Sequence, residues 1–204
     1  MVRQKLRGFV GQGVVAKKSY REALLQLVSM PVYAVSGSGT VTAPRPCIAL
    51  IFGWGAGGSG GAGSGGGGGG GAAVTYRMRL SRGQQISYSV GVPGSGVPDL
   101  TDGNDGTDTV LSTPIGTLRA GGGRAGLWAN AGGGLGGQAS GIGTLRPGAR
   151  GGDQPSPLGG SGGSFPEIGS TFAGIGDGSA GVTGGGASSN GGAGRVIILL
   201  LRAS

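Results

Sequence analysis

The chain has 204 residues, carries a formal net charge of +8 and contains no histidine. Its 55 glycines and 5% aromatic residues leave little large apolar surface for a conventional core, so backbone hydrogen bonds must supply part of the cohesion. Histidine is the commonest general base and metal ligand, and the only glutamates are Glu22 and Glu167. We therefore expect a protein that is not an enzyme and that has no metal site and no cofactor.

The N-terminal residues 1–34 are predicted to form a basic docking segment. Within it, residues 13–30 lie between Gly13 and Pro31 and place an apolar stripe beside a basic one, which is typical of an amphipathic helix. We interpret this helix as a contact with a larger particle. The alternatives are a terminal helix packed on its own domain and a helix that binds nucleic acid or a membrane surface. The candidate docking residues are Arg3, Lys5, Arg7, Lys17, Lys18, Arg21, Leu24, Leu25 and Val28.

Residues 35–204 are predicted to form a glycine-rich domain that is mainly β, an antiparallel β-sandwich-like fold. In 74–80 and 86–92, apolar residues alternate with polar or small ones, as expected of strands with one solvated face. Gly83, between these two segments, can supply the positive φ of a hairpin turn.

Two further segments are apolar almost throughout. Residues 47–54 suit a strand that is covered on both faces, and the run 196–201 predicts a central strand beside it. Cys47 lies in the first of these segments and is interpreted as a small buried hydrophobe. Because it is the single cysteine, no disulfide can form within the chain.

A glycine tract follows the strand 47–54. The residues of 55–71 other than glycine are Ala56, Ser59, Ala62 and Ser64. A flexible linker is the usual interpretation of such a tract. However, the first three of these residues recur at every third position, the period of an extended left-handed helix. We predict that residues 65–71, with parts of 181–194, form polyglycine II helices packed together through backbone hydrogen bonds.

Aspartates also recur at every third position, at Asp99, Asp102, Asp105 and Asp108. A calcium loop of the EF-hand type requires a different spacing and a bidentate glutamate. We interpret the aspartates as caps of solvated turns.

Loops carry most of the aromatic residues of the second half of the chain. Two interpretations apply to Trp128, Phe165 and Phe172: a buried anchor beneath a loop, or an exposed contact for a receptor. With the neighbouring Asn130, these three form the set of candidate receptor-contact residues.

The order of these features resembles the glycine-rich domain of bacteriophage tail and fibre proteins and, more distantly, the glycine-rich adhesins at fibre tips. The resemblance rests on GTVTAP (39–44), the apolar strand that enters a glycine run, the hairpin with SRGQ (81–84), GTLRAGGG (116–123) and the closing GGAGRVIILLL (191–201). It implies a virion component, assembled in the host cytoplasm, that takes part in host attachment and has no catalytic activity.

The partners that the resemblance implies are other virion proteins and a host cell-surface receptor, with many copies or a homo-oligomer in the assembly. A decoration protein of the capsid or tail, without receptor binding, is the alternative. A glycine-rich nucleic-acid-binding protein is a second alternative, which would predict Arg-Gly-Gly clusters interleaved with aromatics. The chain has one such tripeptide, at Arg150, without an adjacent aromatic residue, and we expect no nucleic-acid partner.

Overall fold

The computed structural model describes residues 28–129, 131–160, 162, 176, 178–179, 181 and 186–202. These residues form ten strands in two five-stranded antiparallel sheets, and they include no helix long and apolar enough to cross a membrane. The strands are β1 (Val28–Ala34), β2 (Ser38–Thr42), β3 (Cys47–Trp54), β4 (Ala73–Leu80), β5 (Gln85–Ser89), β6 (Thr109–Thr113), β7 (Gly116–Ala120), β8 (Ala139–Gly141), β9 (Thr144–Arg146) and β10 (Arg195–Arg202).

The first sheet has the order β1-β10-β3-β4-β9. The C-terminal strand β10 pairs with β3 along its whole length, with Leu199 opposite Leu50. This confirms the prediction of a central C-terminal strand beside 47–54. In β3, Cys47, Ala49 and Ile51 are buried, whereas the residues between them are half-buried. One face of β3 is therefore fully covered, and the other face is covered in part.

The second sheet has the order β2-β5-β6-β7-β8 and shares one core with the first. The buried side chains of the two sheets belong to one cluster, as expected of a sandwich-like arrangement. Its larger members include Val41, Ile51, Val74, Ile86, Leu111, Leu118 and Ile198. The layers approach closely at Gly53 of β3, where an added Cβ would lie 2.7 Å from Cδ1 of Leu111 in β6.

The predicted hairpin between β4 and β5 is wrong, although both strands and the positive φ of Gly83 are confirmed. β4 pairs with β3 and β9 in the first sheet, whereas β5 pairs with β2 and β6 in the second, so the turn between them passes from one sheet to the other. Gly83 has a φ of +83° and donates its backbone N–H to the carbonyl of Ala43 at 2.8 Å. Glycine favours this region of φ because it has no Cβ.

The predicted N-terminal helix is wrong for its last three residues. Residues 28–30 belong to β1, which pairs with β10 and places Val28 opposite Leu201. Pro31 lies within the same strand. Because β1 is at the edge of its sheet, the missing N–H of the proline can point away from the ladder. Residues 13–27 of the predicted helix lie outside the described residues.

The glycine-rich segments, in the parts that the structure describes, leave the sheets at one end. Trp54, the last residue of β3, pairs with Ala73, the first residue of β4. The Oγ1 of Thr109, at the start of β6, donates to the carbonyl of Trp54 at 2.6 Å, so the second sheet meets the first at this end. The opposite end of the first sheet carries Val28 and Arg202. We call this opposite end the base.

Residues 65–72 form the central rod of a glycine bundle that extends from the sheets. Each N–H from Gly66 to Ala72 donates to another segment of the chain, at 2.6–3.0 Å. N–H groups three residues apart in the rod donate to the same neighbouring segment. Residues 66, 69 and 72 donate to carbonyls of the segment 121–127. Residues 67 and 70 donate to residues 152 and 149, and residues 68 and 71 donate to residues 179 and 176. This is the repeat of a helix with three residues per turn.

Other segments donate to the central rod from its remaining sides. Residues 55–61 donate at every third position, and Gly134 and Gly137 donate to the carbonyls of Gly67 and Gly70. The prediction that 65–71 packs among extended segments is therefore confirmed. In the second predicted stretch, Gly191 donates to the carbonyl of Gly94 at 2.9 Å, whereas residues 182–185 lie outside the described ranges.

Candidate functional site: the tip of the glycine bundle

The far end of the bundle is a cluster of turns that we call the tip. It consists of residues 62–65, 98–101, 128–129, 131 and 153–157, which join or end the extended segments. The segment 55–62 has eight residues, so at ~3.1 Å per residue the tip lies roughly 25 Å from the sheets. Hydrogen bonds between segments persist to the turns, as from the N–H of Ala62 to the carbonyl of Thr101 at 3.0 Å.

The tip contains unusual backbone conformations. Among the described residues, those other than glycine with positive φ are Ser64, Leu100 and Ala131, at 78°, 59° and 50°. All three lie in tip turns. Such conformations persist only where the surrounding structure holds them, and they are concentrated at functional sites. The tip turns are therefore held in defined shapes by the bundle beneath them.

Trp128 is hydrogen-bonded to two other segments and is also partly exposed; its predicted contact with a receptor stays a prediction. Its indole Nε1–H donates to the carbonyl of Gly63 at 3.0 Å, and its backbone N–H donates to the Asp102 carboxylate at 2.6 Å. The side chain is nevertheless 38% exposed. Leu100, which is also exposed, lies next to Gly63 as well, since its Cδ2 is 2.9 Å from the position of an added Cβ on that glycine. The tip thus presents an anchored indole and an exposed leucine close together.

Most of the remaining site residues that the sequence suggested lie outside the part of the chain that the structure describes. Asn130, Phe165 and Phe172 lie outside the described residues, and so do the docking candidates Arg3, Lys5, Arg7, Lys17, Lys18, Arg21, Leu24 and Leu25. Val28, the last docking candidate, begins β1 at the base.

The periodic aspartates have a structural role that the sequence analysis missed. Along the segment 121–128, the N–H groups of residues 122, 125 and 128 each donate to one carboxylate. The acceptors are Asp108, Asp105 and Asp102, at 2.8, 2.8 and 2.6 Å. We call this set the aspartate ladder. Its carboxylates accept hydrogen bonds that the carbonyls of a further glycine segment would otherwise accept. The sequence already showed the three-residue spacing of these aspartates, which matches the spacing of their donors.

Arginines pair with two carboxylates of the aspartate ladder and with Asp153. Arg119 contacts Asp108, Arg124 contacts Asp105, and Arg150 contacts Asp153, which also accepts the N–H of Gly133 at 2.6 Å. The hydrogen bond from Arg124 to Asp105 raises the pKa of the Arg124 guanidinium above its usual value. Within the part of the chain that the structure covers, no group of three His, Cys, Asp or Glu residues could hold a metal ion.

The sequence matches the glycine-rich domain family over residues 34–199, more than half of the chain. The chain belongs to the glycine-rich domain family. The match begins at the last residue of β1 and ends inside β10, so it spans the second sheet, β3 and the glycine bundle. No curated protein matches the chain. Family membership defines the type of domain, and the biological role is addressed below as a proposal.

Proposed function

We propose that this protein is a structural component of a bacteriophage virion, in the tail or a tail fibre, that takes part in host attachment and docks through its N-terminal segment. The proposal draws on the resemblance of the strand and glycine segments to phage tail and fibre domains. Its main structural support is one observation: Val28 and Arg202 lie at the base, whereas the tip turns lie at the other end of the bundle.

This polarity suits a projecting attachment protein. Residues 1–27 enter the domain at Val28, so a particle that holds them would lie next to the base. The bundle would then carry the tip away from the particle by roughly 25 Å, at ~3.1 Å per residue.

The chemistry of the tip also favours recognition. Tryptophan supplies a large contact surface with few rotatable bonds, and it is enriched among residues that dominate binding energy. Trp128 is fixed by the hydrogen bond from its indole to Gly63. A side chain that is already fixed loses less conformational entropy when a partner binds.

The experiment that tests the role combines location with competition. Antibodies against the protein, imaged on purified particles by electron microscopy, give its position, and the purified protein is added to host cells before infection. We expect labelling at the tail tip or fibre and slower adsorption of the phage. Labelling repeated over the head or tail shaft, without competition, would support the decoration protein instead. Absence from purified particles would contradict both.

A matched pair of variants connects the tip with attachment. Leu100→Ala removes an exposed tip side chain, and Val92→Ala removes an exposed side chain outside the tip turns; the two residues are 57% and 63% exposed. We expect the Leu100 variant to compete less well for host cells than the Val92 variant. Equal competition by the two would exclude Leu100 from the contact.

A further inference from the structure

A polar groove runs along the side of the glycine bundle, next to the second sheet and apart from the tip turns. It encloses about 930 Å³. Its lining includes Gly121 and Gly122 and the segments 106–108 and 135–138. Gly121 donates its N–H to the carbonyl of Gln138, and Gly122 donates to the Asp108 carboxylate, so these segments are linked to one another. The groove is therefore wide enough for a small ligand and is held by hydrogen-bonded segments.

Three arginines line this groove, namely Arg119, Arg124 and Arg150. Their side chains are 61%, 69% and 54% exposed, although each one contacts a carboxylate. A guanidinium has five N–H donors, and a single carboxylate engages only part of them. Asp108 is the acidic residue of the lining. Because Asp105 and Asp153 pair with the other two arginines, the charges balance, and the groove offers guanidinium N–H donors that one carboxylate does not engage.

The other lining groups suit a sugar ring. Gln138 and Ser140 provide an amide and a hydroxyl, and Ser140 lies directly opposite Arg119 in the β7–β8 pair. Leu135 is an apolar side chain of the lining and is 63% exposed. Sugar rings have polar hydroxyl edges and less polar C–H faces, so one leucine among polar groups matches them better than it matches an apolar ligand.

We propose that the groove binds an acidic saccharide, with its carboxylate or phosphate group at Arg119 and Arg150 and its ring against Leu135. Arginine forms paired hydrogen bonds with either anion. Exposed ion pairs such as Arg119 with Asp108 contribute little net free energy, so a ligand anion can share these guanidiniums at small cost. The inference deepens the attachment role proposed above by naming a ligand class, and it rests on that role for its biological meaning.

The test measures binding to the isolated full-length protein. Fluorescently labelled trigalacturonic acid provides carboxylates, a labelled maltotriose phosphate provides a phosphate, and labelled maltotriose is the neutral control. We expect one or both acidic probes to bind, with affinity that falls as salt is added. The two acidic probes distinguish a carboxylate from a phosphate ligand. Absence of binding by both, or equal binding of maltotriose, would overturn the proposal.

Variants assign the binding to the groove. Arg119→Gln combined with Arg150→Gln should weaken binding roughly tenfold or more, since two charge-assisted contacts are lost. Arg82→Gln, in the turn between β4 and β5 at the base, removes one positive charge elsewhere and should leave affinity unchanged. Ser140→Trp fills the groove while keeping the arginines, and it should also weaken binding. Full affinity in the Ser140 variant, or an equal loss in the Arg82 variant, would place the binding outside the groove.

The outcome is separable from that of the attachment proposal. If the groove binds saccharide but the protein is absent from phage particles, only the attachment role fails. If the protein is found at the tail tip but binds neither acidic probe, only the groove assignment fails.

Discussion

The Asp105 carboxylate accepts the backbone N–H of Ala125 at 2.8 Å, across 20 positions of the sequence. Asp105 belongs to the segment 102–108, which also donates the N–H groups of Gly103 and Gly106 to the carbonyls of Gly126 and Gly123. Both backbone and side chains of this segment therefore bind the segment 121–128. The carboxylate takes the place of a backbone carbonyl. Asp102 and Asp108 make the same kind of contact three residues to either side, so side chains supply these acceptors at a regular spacing.

Replacing one member of the aspartate ladder should weaken the bundle measurably. Asp105→Ala leaves the Ala125 N–H without its acceptor and Arg124 without its carboxylate, and we expect a loss of about 1 kcal/mol in the free energy of unfolding. Asp105→Asn keeps an acceptor oxygen and should lose less. Urea unfolding of both variants gives the comparison, and equal losses would show that the ion pair, rather than the acceptor, carries the effect.

A side chain inside the bundle should be far more disruptive than one at the tip. A Cβ on Gly68 would overlap the carbonyl group of Gly58, which is backbone and cannot rotate away. Gly68→Leu should therefore abolish cooperative folding or lower the melting temperature severely. Ser64→Ala changes an exposed turn residue and should have a small effect. Melting curves of the two variants give the comparison. Equal melting temperatures would mean that the tract behaves as a linker.

The buried thiol of Cys47 predicts a pH dependence. Burial raises the pKa of Cys47 above its usual value, so the folded protein keeps this proton at a pH where the unfolded chain releases it. The contribution of the neutral thiol to stability is full below the unfolded pKa of about 8.5 and is lost as the pH rises through the folded pKa.

This contribution can be isolated with one variant. The stability difference between the natural protein and Cys47→Ala should shrink between pH 7 and a pH well above the unfolded pKa. Urea unfolding at both pH values measures it, while a thiol reagent should label the folded protein more slowly than the unfolded chain. A pH-independent difference and rapid labelling would contradict the burial of the thiol.

Removal of residues 1–27 should separate folding from docking. All ten strands remain in the shortened chain, because β1 begins at Val28. We expect it to fold with a similar melting temperature but to fail to join particles. Removal of residues 1–34 deletes the edge strand that pairs with β10, and this longer deletion should lower the melting temperature. Normal incorporation of the shorter deletion into particles would exclude N-terminal docking.

Much of the β structure could be predicted because local patterns decided it. Alternation identified β4 and β5, and the density of apolar residues placed β10 beside β3. The three-residue period of Ala56, Ser59 and Ala62 indicated an extended helix. Local patterns failed at residues 28–30, where apolar residues with a helical period instead pair with β10 as a strand. Pairing with a strand about 170 positions away leaves no local signal.

The partners of the extended segments could not be predicted for a similar reason. A glycine segment looks the same from every side, so its sequence does not state which neighbours it will contact. The aspartates were an exception, since Asp102, Asp105 and Asp108 share their period with the N–H groups that they accept. A solvated turn explains one aspartate, whereas three at a constant spacing indicated a regular partner. The groove was not predictable, because segments distant in the sequence bring its arginines together.

The three-residue repeat of the central rod also determines how the molecule responds to force. An extended helix of this kind rises by ~3.1 Å per residue, whereas a fully stretched chain reaches only ~3.3–3.6 Å. The extended segments of the bundle can therefore lengthen very little before the chain is fully stretched. Tension between the tip and the base runs along the rods, while their hydrogen bonds are directed sideways to neighbouring rods. Stretching has to shear many bonds together, so the bundle is expected to act as a stiff strut that transmits a pull with little extension.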